Sequence, residues 1–269
     1  MEEESKDSSI KSTIEAATAL VKAVPIYNDA LQPGARQVGK SLETVGKAVN
    51  MALAPLKVLV WGYDLIEEWL TKRVNEKLKG VPQENIITPS PQVAGPTIEA
   101  LRYVANDTTL RELYANLLAT AMNSERLDLA HPGYVEILKN MSTDEAILLG
   151  YFLTKESYPT IDVLEHLPNS QGYHTSYTNF TNWHESTEIK RVDLIPTYID
   201  NLCRLGILEQ PFSLTIIDPQ GYKSLKESHL LNEIQAGITR RGNTIQFKDR
   251  VVRLTSLGRN FVNNVVKNP

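Results

Sequence analysis

The chain has 269 residues, 42% of them hydrophobic, with a net charge of −4 and one cysteine, Cys203. That length and apolar content suit one large domain or two modest ones, while a lone cysteine excludes an internal disulfide framework. Aromatic residues make up only 7%, which goes with aliphatic helix packing more than with a β-sandwich.

The start, Met1-Glu2-Glu3-Glu4-Ser5-Lys6-Asp7, is acidic and lacks the basic-then-apolar order of a signal peptide. Residues 1–8 read as a disordered tail and the expected compartment is the cytoplasm, so the Asn106-Asp107-Thr108 and Asn179-Phe180-Thr181 triplets read as coincidental. Ser8 or Ser9 can cap a helix to Val24, with Ile10, Ile14, Ala17, Val21 and Val24 on one stripe, ended by Pro25. A second helical pattern begins near Ala35 and runs through Val38, Leu42, Val45, Val49 and on to Leu78. Pro55 is expected to kink or break it, and Gly80-Val81-Pro82 to stop it. Residues 9–80 thus form a region of long helices. Its most apolar stretch, Ala48–Tyr63, is shorter than the roughly 20 residues a bilayer span needs. Two readings stand: a buried helix, or an interfacial helix that meets the inner membrane peripherally through Leu53, Leu56, Leu59 and Trp61.

Residues 81–141 read as a central helical domain opened by a proline-rich strap, Ile86 to Pro96, with Pro96 in the first turn of a helix to Val104. Thr109 and Glu112 have capping-box spacing. They open LRELYANLLATAMN, where Leu110, Leu113, Leu117 and Ala121 form one apolar row and Tyr114 and Leu118 another, so a wide face is buried. Pro132 starts a short helix, and Ser142 with Glu145 forms a second capping box before Ala146 to Leu153.

From 142 to 269 the pattern changes. Loop 168–190 places Tyr173, Tyr177, Phe180 and Trp183 among polar residues without helical period. They are either partner contacts or a β-ribbon folded over the core. Asp193 to Leu205 is a helix stopped by Gly206, and Ile207-Leu208 a short strand. Thr244–Phe247 and Arg250–Leu254 read as a hairpin about Lys248-Asp249, and Thr255 caps a last helix. This order is that of a winged-helix-like α+β module. The fold class is therefore mainly α: an N-terminal and central helical region followed by that module.

The wording of three successive blocks, ENIITPSPQVAGPTIEALRY, LRELYANLLATAMN and HPGYVEILKNMSTDEA, resembles the Abi-alpha (abortive infection alpha) family of bacteria. The match is densest from about Ala54 to Ala146 and extends more loosely to Phe261. The resemblance implies bacteriophage defence, in which an infected cell stops growing or dies before phage matures. It brings no reaction, ligand or catalytic residue with it.

The residues themselves offer no chemistry to add. His131, His166, His174, His184 and His229 lack metal-ligand spacing. His131, before Pro132-Gly133, suits a turn, and Cys203 beside Leu202 and Leu205 suits a buried thiol. There is no nucleophile elbow, phosphate-binding loop or dinucleotide turn. We therefore expect no enzyme, cofactor or metal. From Gly237 onwards the chain is cationic, with Asp249 its only acid. Arg240, Arg241, Lys248, Arg250 and Arg253 either meet an anion or nucleic acid, or dock on the acidic part of the same chain. The 193–205 helix carries Asp193 and Asp200 against Arg204, which argues against reading bases. The expected role is a phage-defence protein acting through protein or membrane contacts, self-association included. The alternatives are a winged-helix DNA-binding regulator and an oligomerising scaffold.

Overall fold

A computed structural model describes residues 42–59, 66–104, 106–168, 172–186, 188–217 and 219–267. The helix expected at 9–24 and Trp61 lie outside them. The first described helix, α1 (Leu42–Leu59), continues through Pro55 instead of breaking there. The missing proline N–H leaves the Met51 carbonyl without its helical donor, and Met51 is an exposed residue, where water can replace it. Val49, Leu53 and Leu56, spaced four and three apart, are fully buried. They face α2 (Glu67–Lys77), whose Leu70 and Val74 point back at them.

The strap is shorter than its sequence suggested. Ile87 N–H donates to the Met122 carbonyl at 2.9 Å, but Ser90 ends the extended run and α3 (Pro91–Leu101) starts at Pro91. Pro91 fits the first turn, where an N–H would be unpaired in any case, and Pro96 then sits inside the helix. The long central helix α4 (Thr108–Ala121) is capped by Asp107, not Thr109. The Asp107 carboxylate accepts from Thr109 N at 3.0 Å and Leu110 N at 2.9 Å. Glu112 is thereby released to accept from Arg73 at 2.6 Å and to pair with Lys77 at 3.1 Å, tying α4 to α2. Both apolar rows of α4 are buried, as its pattern requires.

At α5 (Gly133–Lys139) the His131 ring nitrogen Nδ1 accepts from Gly133 N at 3.0 Å, the turn role its position suggested. At α6 (Thr143–Tyr151) the Ser142–Glu145 capping box is complete in both directions.

The chain then forms an antiparallel sheet of β1 (Ser157–His166), β2 (Tyr173–Phe180), β3 (Leu208–Glu209) and β4 (Thr244–Leu254), in the order β2-β1-β4-β3. Much of loop 168–190 is thus the ribbon β2. The hairpin expected about Lys248-Asp249 is absent. Those residues lie mid-strand, paired with Asp162 and Ile161. A two-residue hairpin turn wants residues that accept positive φ, and Lys-Asp supplies no glycine. The turn falls instead at Gly242, φ 81°, before β4. Helix α7 (Ile195–Arg204) separates β2 from β3, and α8 (Pro219–Lys226) and α9 (His229–Arg240) separate β3 from β4.

The sheet has two packed faces. Tyr158 and Val252 join the large apolar cluster that runs unbroken from Val49 to Val265. On the other face Ile161 and Val163 pack with Phe180 and with Tyr222, Leu225, Leu231 and Ile238 of α8 and α9. The last helix, α10 (Ser256–Phe261), is capped by Thr255 as expected. Its Gly258 has to lack a side chain, because a Cβ there would sit 2.0 Å from the Ile207 carbonyl oxygen. A π-helical turn, Val262–Val266, then docks on α4. Asn116 Nδ2 donates to the Val265 carbonyl at 2.8 Å, and Thr120 Oγ1 to that of Asn264 at 2.9 Å.

Candidate partner-binding surface

The four aromatic residues of loop 168–190 do not make one contact surface. Phe180 and Trp183 are buried, Trp183 stacked on Tyr151 at 5.7 Å between centroids, and Tyr177 is half-buried against Phe180. Tyr177 and Phe180 lie on β2 and pack on the α8–α9 side of the sheet, while Trp183, in the turn after β2, enters the large core beside Tyr151, Phe152 and Tyr158. Tyr173 alone is outside, near the His166 ring.

The cationic tail is largely neutralised by its own chain. Glu165, buried on β1, accepts three bonds from the Arg241 guanidinium at 2.8, 2.9 and 3.2 Å, and further bonds from Ser176 and Asn243. The Arg241 bonds first, then those of Ser176 and Asn243, hold the Glu165 carboxyl down at about 2. Arg250 lies 3.7 Å from Asp162, and Arg253 donates to Glu209 at 2.7 Å. Lys248 sits over the Phe212 ring, 4.9 Å from its centroid, and Arg240 is exposed at the end of α9. Arg241, Arg250 and Arg253 each pair with a carboxylate of the same chain.

Leu53 and Leu56 are fully buried and cannot be membrane contacts in this state; Leu59 ends α1 and Trp61 is outside the described residues. No helix among the described residues is long and apolar enough to cross a membrane. Burial pushes the Cys203 thiol up to about 11, away from nucleophilic use. Among the described residues no group of three side chains is placed to hold a metal.

Sequence reasoning passed over the surface that does stand out. Between β3 and α8, Phe212 is 78% exposed, Leu214 46% and Ile217 96%. Large side chains clustered in water mark a contact surface more than an isolated exposed leucine does. The base of this loop is fixed: Ile216 N–H donates to the Tyr222 hydroxyl at 3.0 Å, which donates to the Arg250 carbonyl at 2.8 Å.

The loop flanks an open sheet edge. Pro211 follows Gln210 and can extend no ladder, so β3 pairs only with Arg253 and Leu254. Among the described residues no strand lies on that side of β4 from Thr244 to Val252. Leu254 N–H points to Glu156 on the β1 side and Thr255 N–H to Ile207 on the β3 side. Alternation along the strand therefore turns the N–H and C=O groups of Ile245, Phe247 and Asp249 towards the open edge. The pairing of β4 with β1 is regular throughout, whereas β2, the opposite edge, is bulged twice against β1. Bulges guard an edge against further pairing, and β4 has none.

A sequence model described as abortive infection alpha matches residues 62–265, well over half of the chain. The chain belongs to the abortive infection alpha family. None of the curated proteins matches it. A solved structure of an uncharacterized protein from the hydrocarbon-degrading marine bacterium Alcanivorax borkumensis SK2 is similar at 16% identity. The likeness covers 54% of this chain and 96% of that one, and its TM-score of 0.34 is too slight to establish a shared fold. The abortive infection alpha match begins after α1 and takes in α2 to α10, so the open edge and its apolar loop lie inside the family region.

Proposed function

We propose that this abortive infection alpha protein acts through protein contacts and without catalysis, using the 212–217 loop and the β4 edge beside it. The exposed Phe212, Leu214 and Ile217 carry this reading, because they stand on a loop pinned to the sheet and stay presented without further ordering. The test is phage plating on cells expressing the Phe212→Ser, Ile217→Ser double variant. Both side chains lie outside the core, so an unchanged melting temperature with lost protection is expected. Full protection by the variant would sink the proposal.

A second reading, a winged-helix DNA-binding regulator, keeps one supporting observation. β4 lies between β1 and β3 in the sheet, the strand order such a module would have, although α7 is the one α-helix between β1 and β3 and two helices stand where its hairpin would be. Against it, Asp200 lies on the exposed side of α7, and Arg241, Arg250 and Arg253 are engaged by carboxylates. Duplex binding that weakens steeply as salt rises would favour it over the contact reading.

A further inference from the structure

We propose that the open edge of β4 pairs with the same edge of a second copy of this chain, antiparallel, about a two-fold axis through Phe247. The inference rests on the contact reading above and names its partner.

Geometry restricts where such an axis can pass. Residues directly opposite each other in an antiparallel ladder share a face, so a two-fold normal to the sheet runs through a residue and not between two. Charge then selects among the residues available. An axis at Lys248 sets lysine against lysine. One at Asp249 sets aspartate against aspartate and Lys248 against Arg250. Beyond Val252 the edge is already occupied by β3. An axis at Phe247 places Lys248 opposite Gln246, Asp249 opposite Ile245, and Arg250 opposite Thr244, with no like charges facing. It also uses the outward groups of Ile245, Phe247 and Asp249 in each copy, whereas an axis at Gln246 leaves Asp249 out. The strand is self-complementary at this register, as an isologous interface requires.

The apolar loop supports the same arrangement. Phe212 lies on the face of β4 that carries Lys248 and Arg250. A two-fold normal to the sheet keeps that face on one side, so the loops of both copies flank the joined strands together. Side chains now exposed would then be covered, adding apolar burial to the main-chain bonds.

The test is the mass of the full chain in solution by light scattering, at micromolar concentrations and above. A dimer is expected in place of the 30.1 kDa monomer. Gln246 is exposed and can be changed without entering the core. Gln246→Lys sets a lysine opposite Lys248 of the second copy and should give a monomer with an unchanged circular dichroism spectrum. Adding Lys248→Glu replaces that clash with two opposite-charge pairs and should restore the dimer. At a Gln246-centred register the added change would restore nothing, because the introduced lysine would still meet its own counterpart in the second copy. A wild-type chain that stays monomeric, or a dimer indifferent to Gln246→Lys, overturns the proposal. If the wild type is monomeric while Phe212→Ser, Ile217→Ser still abolishes protection, the contact reading stands and self-pairing falls.

Discussion

Glu165 is a buried carboxylate held by side chains from two separate places in the chain: Arg241 and Asn243 before β4, and Ser176 on β2. Its folded value of about 2 lies below its ordinary 4.5. A carboxyl depressed in this way stabilises the fold at pH above 4.5, and that contribution fades as the pH falls from 4.5 to about 2. Glu165→Gln keeps the shape and removes the charge. At neutral pH it should melt below the wild type. The gap between the two should narrow between pH 4.5 and 2 and close below that. Thermal melts across this range check it, and a gap that stays constant with pH would remove Glu165 from the acid response. None of this was legible in the sequence. Glu165 and Arg241 are far apart along the chain, and only the β1–β4 register brings them together.

At the scale of elements, local signals carried as far as local chemistry extends. Ser142 and Glu145 are three residues apart and satisfy each other, so their box could be recognised from spacing alone. Thr109 and Glu112 share that spacing, yet Asp107 caps α4, and Glu112 pairs instead with Arg73 and Lys77 of another helix. Asp107→Ala should therefore lower stability by about 1 kcal/mol, while Thr109→Ala stays within about 0.5 kcal/mol. Chemical denaturation of both variants decides between the two caps, and a larger loss at Thr109 would reverse the assignment. The strands were harder to recognise. The middle of β4 reads Lys248-Asp249-Arg250, a charged run that looks like a turn until Asp162 and the α8 residue Lys226 are seen to receive it. The open edge was hidden for a related reason, since an edge is defined by a strand that stops, and Pro211 marks only where β3 ends.

At the scale of the molecule, the family motif and the C-terminus are parts of one core. The block LRELYANLLATAMN looks apolar and self-sufficient, apart from Asn116 and Thr120 on its buried face. Both donate to carbonyls of the terminal π-helical turn. Such a turn leaves its last carbonyls without intrahelical donors, and a buried carbonyl without a donor is costly. The polar residues of α4 are thus receivers for residues 264–265, while Phe261 closes the seam edge-on against Tyr134, with ring centroids 5.2 Å apart. Thr120→Val retains the shape and deletes the hydroxyl, leaving the Asn264 carbonyl unpaired. A loss on the order of 1–3 kcal/mol is expected. If α4 and the sheet share one core through this seam, the change should lower the whole melt as a single transition. Far-UV circular dichroism, dominated by the helices, and fluorescence from Trp183, at the sheet, read with Trp61 and Trp69 both changed to Phe, would then move together. Fluorescence falling at a lower temperature than ellipticity would mean that the sheet side comes away first and that the terminal turn is a detachable strap.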